Sequence, residues 1–392
     1  MQPYKGIDYY HFEHWLSEEE RSVKDTVRRF VDKSFLPVIK EHFAAGTFPR
    51  EIIRELGELG LLGPSIHGPG CPGLSYTIYG LICQEMERGD SGLRSFASVQ
   101  SSLVMWPISV YGTAEQKQKW LPELAAGRKV GCFGLTEAGH GSDPGSMETT
   151  ATPDGNDWIL HGNKMWITNA NLADLALVWA RGPERVMGFL VEKDRPGFTT
   201  QETRGKWSLR ASDTGELILD EVRVPDTNRL PAALGLRTPL SCLNEARFGI
   251  AWGAVGAASD CFHTALEYAN ERQQFEVPIS SFQLVQRKLV LMLTDITKAQ
   301  GLAHQLGRLK DRGINEVPLV SMAKRNNVAM ALEVSRLARD ILGAAGITDE
   351  YSPGRHMANL ESVKTYEGTH DIHTLIVGAD ITGRPAYRAG SG

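Results

Sequence analysis

The sequence has no apolar run that could cross a bilayer and no excess of positive charge. No apolar stretch approaches the roughly 20 residues that a membrane-spanning helix needs. Lysine and arginine number 42 against 47 aspartates and glutamates, which gives a net charge of −5. A general nucleic-acid binder usually carries a basic excess, so this class of protein is disfavoured. A local basic site for an anionic ligand remains compatible with this balance.

Cysteine is scarce, and its distribution disfavours two kinds of site. The five cysteines are odd in number and never form a Cys-x-x-Cys pair: Cys71, Cys83, Cys132, Cys242 and Cys261. Neither a zinc site nor a disulfide framework is predicted. Reduced buried thiols are typical of a reducing compartment. The first five residues lack a signal pattern, so we expect the bacterial cytosol, with a mature mitochondrial-matrix protein as the alternative.

Several well-known catalytic and binding motifs are missing as well. The sequence contains no Walker motif, no Gly-x-Ser-x-Gly elbow and no aromatic-rich basic stripe. Residues 68–73 match Gly-x-Gly-x-x-Gly, but two prolines interrupt the run and no strand precedes it. A dinucleotide-binding loop needs a strand, a tight turn and a helix in that order. We therefore predict a simple loop between helices.

The chain of 392 residues divides by pattern into helices, a small sheet and helices again. Ser17 and Glu20 form a capping box at the start of a helical first third. Short strand-like runs at 149–152, 158–160, 175–179, 186–191 and 216–224 predict a small antiparallel sheet domain. Helical patterns return at 246–272, 282–312, 316–342 and 373–382 and predict a four-helix bundle. The predicted domains are 1–130 (helical), 131–238 (β) and 239–392 (helical bundle).

Glu367 is a candidate catalytic base. It stands between Tyr366 and Gly368, where the helical apolar pattern lapses. Glycine allows unusual backbone angles, and a carboxylate in a gap between helices is well placed to abstract a proton. An ordinary acidic residue in a surface loop is the alternative. His370 and His373, just downstream, lack the further ligands of a metal site, so we predict ordinary hydrogen-bonded histidines and no metal.

Arg94 is a candidate anion clamp, because a guanidinium suits a carboxylate. It follows small residues at a predicted junction between helices, and Glu87, seven residues earlier, is positioned to pair with it. A solvent-exposed arginine is the alternative. The small and hydroxylated residues at 133–143 can offer amides and hydroxyls to an anion or a polar ring edge. Trp166 and Thr168 can cover a flat ring, although a tryptophan in a strand is more often core.

Four groups of motifs together resemble the acyl-CoA dehydrogenase family, over nearly the whole chain from about Tyr10 to Tyr387. They are 134–137 (Gly-Leu-Thr-Glu) with 141–143 (Gly-Ser-Asp), 166–168 (Trp-Ile-Thr), 272–275 (Arg-Gln-Gln-Phe) with Gln283, and 366–369 (Tyr-Glu-Gly-Thr). Within the family, the segments 94–104, 242–252 and 365–373 are most similar to those of the glutaryl-CoA dehydrogenases.

The resemblance implies a fold and a cofactor. The fold would be a helical N-terminal domain, a β-barrel-like middle domain and a C-terminal four-helix bundle, assembled as a homotetramer of two dimers. FAD would lie between the middle and C-terminal domains. The residues expected to bind it are Phe133, Leu135, Thr136, Ser142, Trp166, Ile167, Thr168, Leu342, Gly343, Thr369 and Asp371. Those expected to reach the FAD of a neighbouring subunit are Arg272, Gln274, Phe275 and Gln283.

The resemblance also implies a reaction. Glu367 would remove the α-proton of an acyl-CoA while hydride leaves the β-carbon for the flavin, which an electron-transfer flavoprotein would reoxidise. With glutaryl-CoA, the product would lose carbon dioxide and give crotonyl-CoA. The residues expected to contact substrate are Glu87, Arg94, Ser95, Ser142, Leu243, Asn244, Arg247, Tyr366 and Gly368.

Two alternatives stay open, and two positions depart from the family pattern. The enzyme could oxidise another short or branched acyl-CoA without decarboxylation. It could also bind flavin or CoA without catalysis, although Glu367 argues against that. Ala138 stands where the family often has proline, and 342–346 (Leu-Gly-Ala-Ala-Gly) lacks the common double glycine. Both departures concern the details of FAD contacts.

Overall fold

The structure is a computed structural model that describes residues 8–233 and 235–386. Tyr387, the end of the predicted family resemblance, lies outside these ranges, and so do the first five residues. Within the described ranges, no helix combines the length and the apolar character that crossing a membrane requires.

The first part of the chain is helical, as predicted. The helix α1 begins with the predicted capping box, in which the Ser17 hydroxyl and the Glu20 carboxylate each accept from the other residue's backbone N–H. Residues 68–73 form a loop between two helices, which confirms that prediction. The helices are α1 (Glu18–Phe30), α2 (Leu36–Ala45), α3 (Ile52–Glu58), α4 (Tyr76–Gly89), α5 (Ser91–Ser98), α6 (Trp106–Tyr111) and α7 (Ala114–Ala125).

The middle of the chain forms one curled sheet. Its strands are β1 (Gly131–Gly134), β2 (Thr150–Asp154), β3 (Asp157–Thr168), β4 (Leu175–Arg181), β5 (Val186–Glu192), β6 (Phe198–Glu202) and β7 (Thr214–Pro225). The strand order is β1-β4-β2-β3-β7-β6, and β5 pairs with β4.

The predicted purely antiparallel arrangement of this sheet is wrong. Strand β1 runs parallel to β4, with Gly131 opposite Leu175, and β2 meets β4 in the same sense at Thr150 and Arg181. A parallel pair needs a long crossover in place of a hairpin. The chain between β1 and β4 supplies it through β2 and β3, and no short-range sequence pattern reports such a pairing.

The last part of the chain is a helical bundle around α10. The elements are α8 (Arg237–Glu271), the hairpin β8 (Gln273–Gln274) and β9 (Val277–Pro278), α9 (Gln283–Asp311), α10 (Val317–Ile341), α11 (Ser352–Thr365) and α12 (His370–Thr382). The helix α10 packs against α8, α9 and α11, which form the predicted four-helix bundle with it, and also against α12.

The predicted helix at 373–382 is confirmed as part of α12, but the prediction omitted α11. The residues that α11 buries are Pro353, His356, Asn359, Leu360 and Val363. Because three of these five are polar or proline, the helix has no clear apolar stripe for the sequence to reveal.

The helices α4 and α8 lie in close contact and carry residues of the candidate site. A Cβ atom on Gly253 of α8 would lie 1.9 Å from the Glu87 carboxylate on α4. A Cβ atom on Gly256 would lie 1.8 Å from the Gln84 carbonyl oxygen. The small residues of α8 therefore permit close packing of the two helices, and they leave room for a buried carboxylate.

Candidate active site

Glu367 lies in the short loop between α11 and α12, with a backbone conformation that favours glycine. Its φ is +53°, and that of Gly368 is +93°. A residue other than glycine in this region costs on the order of 1–3 kcal/mol unless its surroundings stabilise it. A Cβ atom on Gly368 would lie 2.9 Å from His373 Nε2. Glycine at 368 is therefore required by both the angle and the space.

Two buried cations bind three consecutive carbonyl groups of this loop. Arg247 Nε on α8 donates to the Glu367 carbonyl at 2.7 Å. The ammonium of Lys324 on α10 donates to the Gly368 carbonyl at 2.7 Å and to the Tyr366 carbonyl. These bonds satisfy the loop backbone and hold it against both helices.

The Glu367 side chain, in contrast, has an unused acceptor. Its Oε2 atom is shielded from solvent and finds no hydrogen-bond partner among the residues that the structure describes. Burial raises the pKa of this carboxyl group, although the charges of Arg94, Lys324 and Arg247 oppose the rise. A shielded carboxylate with a raised pKa and a free oxygen can accept a proton from a bound molecule.

Arg94 is completely buried and pairs with Glu87, so the solvent-exposed alternative is wrong and the predicted pairing is confirmed. Its Nε donates to Glu87 Oε2 at 2.6 Å, and its Nη2 donates to the Tyr366 hydroxyl. Its Nη1 is buried without a partner in the described part of the chain. One N–H edge of the guanidinium is thus available to an acceptor that is not part of this chain.

The remaining acceptors around this guanidinium are occupied. The Ser91 hydroxyl donates to Glu87 Oε1 at 2.8 Å, so both carboxylate oxygens of Glu87 are bound. The Ser95 hydroxyl lies 3.2 Å from the Tyr366 hydroxyl. Burial raises the pKa of Tyr366 well above its ordinary value, so its phenol stays protonated. Tyr366 therefore connects the guanidinium to the loop that carries Glu367.

His373 of α12 is buried, with its ring beside the backbone of Glu367 and Gly368. The prediction of ordinary hydrogen-bonded histidines stays a prediction. Burial, and then the charges of Lys324 and Arg247, lower the pKa of His373 to about 3, which keeps its ring neutral. Over residues 8–233 and 235–386, no cluster of His, Cys, Asp or Glu has the make-up of a metal site.

A second polar region lies at the end of β1, where the predicted flavin contacts begin. Phe133 and Leu135 are buried, and the Thr136 carbonyl accepts a hydrogen bond from Met165 N at 2.8 Å. This bond joins the loop after β1 to β3. Trp166 follows at a register shift in β3 with a φ of +63° and is 58% exposed, so the core alternative is wrong for it.

These residues fit the flavin that the resemblance implies. An exposed indole can cover a flat ring, and the partly exposed Thr136 and Thr168 carry hydroxyls beside it. Ser142 is exposed in the loop after β1. Cβ atoms added to Gly139 and Gly141 of that loop would meet nothing within 4 Å, which leaves space for a ligand.

The other predicted residues lie in three places. Leu243 is half-buried, and Asn244 donates to Asn315 at 3.2 Å while its Oδ1 has no partner in the described ranges. Thr369 is the N-cap of α12, and Asp371 is exposed in its first turn. The remaining ones are Ile167 and Leu342, which are buried, and Gly343, Arg272, Gln274, Phe275 and Gln283, which are exposed. Their roles stay predictions.

Lys324 is a residue of this cluster that the sequence analysis missed, although a signal was present. It falls in the buried stripe of α10, at helical spacing from Val320, Asn327 and Val328. A lysine in such a stripe is uncommon and usually has a partner. Glu137 and Lys164 were also missed as a pair; they form a buried ion pair of 2.8 Å behind the loop after β1.

Three family models match the chain and together cover most of it. The model described as "Acyl-CoA dehydrogenase, N-terminal domain" matches residues 17–128. The model for the middle domain of the same family matches residues 132–222, and the model for its C-terminal domain matches residues 234–382.

Individual proteins that are similar to this chain point to the same family. A crystal structure of glutaryl-CoA dehydrogenase from Mycobacterium smegmatis is 55% identical, with a TM-score of 0.95, over 96% of this chain and 97% of that one. Another from the same organism, in complex with FADH2, is 51% identical, with a TM-score of 0.96, over 97% and 98%. The mitochondrial short-chain specific acyl-CoA dehydrogenase of Bos taurus is 33% identical over 93% of this chain and 90% of its own length.

Proposed function

Because the chain belongs to the acyl-CoA dehydrogenase family, we propose that it oxidises glutaryl-CoA with bound FAD and decarboxylates the product to crotonyl-CoA and carbon dioxide. The observation that carries this proposal is a pair of unused polar atoms in one buried cluster. Glu367 Oε2 is a free acceptor and Arg94 Nη1 a free donor within the described residues. The two residues are linked through Tyr366. Glu367 Oε2 can accept the proton of an acidic C–H bond, and Arg94 Nη1 can donate a hydrogen bond to a distal carboxylate.

Glu367 is the proposed base. The thioester carbonyl of an acyl-CoA acidifies its α-hydrogen, and the free Glu367 oxygen removes that proton. Because burial raises the pKa of Glu367, its carboxylate is a stronger base than one in water. The bond from Arg247 Nε to the Glu367 carbonyl helps to keep the carboxylate in place during the transfer.

FAD is the cofactor, and the middle domain supplies its proposed contacts. Bound FAD accepts the hydride that leaves the substrate's β-carbon. The exposed Trp166 ring would cover the flavin, and Thr168 and Thr136 would bind its polar edge. Phe133 and Leu135 would form the apolar wall beside it. The Met165 to Thr136 backbone bond supports this arrangement, because it fixes the two contacting segments relative to each other.

Arg94 is the proposed ligand of the distal carboxylate of glutaryl-CoA. Its Nη1 can donate one charge-assisted hydrogen bond, and Ser95 and Tyr366 add hydroxyls nearby. Glu87 already balances the guanidinium charge. When the carboxylate leaves as neutral carbon dioxide, Arg94 is therefore not left as an unpaired buried charge, which would cost several kcal/mol. This balance supports decarboxylation, and protonated Glu367 can return the proton that completes crotonyl-CoA.

The similarities support glutaryl-CoA over simpler substrates. The identity to the two mycobacterial glutaryl-CoA dehydrogenases exceeds that to the bovine short-chain enzyme. The latter likeness favours, as the second candidate, oxidation of a short acyl-CoA without decarboxylation. In that case Arg94 would have only a structural role through Glu87 and Tyr366.

The test is anaerobic mixing of the purified, FAD-loaded enzyme with glutaryl-CoA, with butyryl-CoA as the matched substrate that lacks the carboxylate. Loss of flavin absorbance and the product mass are both measured. Rapid bleaching with crotonyl-CoA as product is the expected result. Bleaching with glutaconyl-CoA alone would remove the decarboxylation step. Bleaching by butyryl-CoA but not by glutaryl-CoA would favour the second candidate.

We also propose a homotetramer whose subunits complete each other's FAD sites. Phe275 is 88% exposed in the hairpin of β8 and β9, and Leu284 and Val290 are exposed on the following helix α9. Exposed apolar groups of this kind favour a covered surface, and Arg272, Gln274 and Gln283 lie beside them. Light scattering should give about four times the 43.2 kDa chain mass. A monomer that holds FAD and is active would contradict the proposal.

An electron-transfer flavoprotein is the proposed electron acceptor. The exposed Trp166 at the predicted flavin site is compatible with the approach of a partner protein. Reoxidation of the reduced enzyme by a purified electron-transfer flavoprotein, compared with oxygen alone, would test this step.

A further inference from the structure

Lys324 is the buried cation of the site that substrate and cofactor chemistry leave unexplained. It lies on α10, is 2% exposed and has no carboxylate within salt-bridge distance in the described residues. Its ammonium bonds instead to the carbonyls of Tyr366 and Gly368, the two residues that flank Glu367. The ammonium also lies 5.7 Å from the centroid of the Tyr366 ring.

A lysine at this position is costly, and packing alone does not account for it. Removing an ammonium from water costs several kcal/mol unless its N–H groups find partners. Neighbouring positions of the same stripe, such as Val320, Ala323 and Val328, fill the bundle with apolar groups. An apolar side chain at 324 would therefore satisfy packing, whereas only a long donor can bind both carbonyls.

Both carbonyl bonds act on a strained segment. Glu367 has a φ of +53°, a conformation that an isolated glutamate adopts rarely. Lys324 binds the carbonyl of the peptide group before Glu367 and the carbonyl of Gly368, and Arg247 binds the carbonyl of Glu367 itself. The direction of the Glu367 carboxylate depends on this backbone conformation, because the side chain projects from it.

We propose that Lys324 is a positioning residue for Glu367, which holds the strained loop in its active conformation through the Tyr366 and Gly368 carbonyls. The inference rests on the proposed role of Glu367 as base. Lys324 acts through the loop and through its field, without contact with the substrate. It is therefore distinct from Arg94, which is proposed to bind the substrate carboxylate.

The charges around the pair come from every element packed against it. The charged or titratable groups that act on Glu367 or Lys324 are Cys83 and Glu87 on α4, Arg94 on α5, Arg247 on α8, Tyr366 in the loop, and His370 and His373 on α12. Burial raises the pKa of Glu367, and the Lys324 charge opposes that rise. Burial lowers the pKa of Lys324 to about 7, so its charge is present below that pH. Removing this charge should raise the pKa of Glu367 further, since Arg94 and Arg247 alone would remain to oppose the rise.

The experiment measures the second-order rate constant of flavin reduction against pH, anaerobically, for FAD-loaded enzyme. Three variants separate charge from geometry: Lys324→Met removes both charge and donors, Lys324→Gln keeps N–H donors without charge, and Lys324→Arg keeps both. The acidic limb is the part of the pH–rate profile in which the rate rises with pH as Glu367 ionises. For Lys324→Met and Lys324→Gln this limb should move to higher pH by about one unit or more. The Met variant should also lose about tenfold or more in its plateau rate. Lys324→Arg should keep the wild-type limb.

Lys364→Met is the matched control. Lys364 lies three residues before Glu367 on α11 and carries the same charge, but no bond between it and the loop occurs in the described structure. Its removal should leave both limb and plateau unchanged. If Lys324→Met fails to fold with FAD, the test compares the acidic limbs of Lys324→Gln, which should be shifted, and Lys324→Arg, which should not. Limbs and plateau rates that both match those of the wild type in every folded Lys324 variant would overturn the proposal.

Glu367→Gln, measured alongside, distinguishes the two levels of the argument. If this variant reduces flavin at the wild-type rate, Glu367 is not the base, and the proposed function fails together with the inference. If it is inactive while the Lys324 variants match Lys364→Met, only the positioning role of Lys324 fails.

Discussion

The molecule contains two shielded glutamates, Glu367 and Glu137, whose carboxylates are bonded in opposite ways. Each belongs to a cluster with a buried lysine, Lys324 for Glu367 and Lys164 for Glu137. Glu137 accepts from Lys164 Nζ and from the backbone N–H groups of Glu148 and Thr149, so both of its oxygens are bound. Glu367 has one oxygen shielded and without a partner in the described ranges. Lys164 bonds its glutamate directly, whereas Lys324 bonds the backbone around its glutamate.

The pKa values follow this difference. Burial alone would raise the pKa of Glu137, but hydrogen bonds from Glu148, Lys164 and Thr149 outweigh it and lower the value to about 2. For Glu367 burial prevails and the pKa rises. A fully bonded carboxylate stabilises a fold and resists protonation, whereas one held only by its backbone keeps a free oxygen for chemistry. The comparison predicts that the two residues fail in different ways when changed.

The largest expected effect is on catalysis by Glu367→Gln. The amide cannot accept the α-proton, so flavin reduction by glutaryl-CoA should fall by about 10²–10⁴-fold. FAD content and thermal stability should persist, because the change removes a buried charge that lacks a direct partner. Stopped-flow absorbance and a thermal scan measure both properties. A variant that also loses FAD would show that Glu367 supports the fold as Glu137 does.

The second-largest expected effect is on substrate preference and concerns Arg94, whose Nη1 is without a partner in the described residues. The double variant Arg94→Met with Glu87→Gln removes the ion pair without leaving either charge alone. We expect a loss with glutaryl-CoA about 10- to 100-fold larger than with butyryl-CoA, the value of one charge-assisted hydrogen bond. Parallel kinetics on the two substrates measure it. Equal losses on both substrates would contradict the proposed carboxylate contact.

Glu137→Gln should reverse the pattern of Glu367→Gln. It leaves Lys164 buried with an uncompensated charge, so the free energy of unfolding should fall by about 3 kcal/mol. Flavin reduction by the folded protein should persist. Because the folded-state pKa of Glu137 lies below its ordinary 4.5, this stabilisation is complete above that pH and disappears as the pH falls toward about 2. Urea unfolding at several pH values tests both statements.

The smallest effect is a shift in pH dependence. Glu367 must be ionised to act as a base, and its pKa lies above the ordinary 4.5 of a glutamate. The rate of flavin reduction should therefore rise with pH through a value above 4.5 and then level off. His373 does not contribute to this limb, since its pKa of about 3 keeps it neutral. A rate that is independent of pH down to 4.5 would mean that the pKa of Glu367 is lowered, as that of Glu137 is, and would contradict the comparison.

Much of the fold could be predicted from the sequence, and the exceptions have physical causes. The order of helices, sheet and helices follows local periodicity, which the capping box at Ser17 illustrates. The parallel pairing of β1 with β4 joins segments that are distant in the chain and leaves no local pattern. The helix α11 was missed because its buried face is rich in polar residues. The exact domain boundaries stay predictions.

Site residues that belong to a local sequence motif could be predicted, whereas contacts that depend on how distant elements pack could not. The pairing of Arg94 with Glu87 was predicted from their separation in the chain, although the helix breaks at Asp90 between them. The role of Glu367 stays a prediction. The contacts of Lys324 cross more than 40 residues of chain and depend on how α10 packs beside the loop. The exposure of Trp166 comes from a register shift in β3 that alternation alone does not reveal.

The most direct test of the account is exchange of the substrate's α-hydrogen with deuterated water, measured by mass spectrometry. An acyl-CoA in which sulfur replaces the β-carbon has no hydride to lose, so exchange reports the base alone. The wild-type enzyme and Glu137→Gln should both exchange this hydrogen rapidly, and Glu367→Gln should not. Exchange by Glu367→Gln at the wild-type rate would contradict the central claim that the free oxygen of Glu367 is the base.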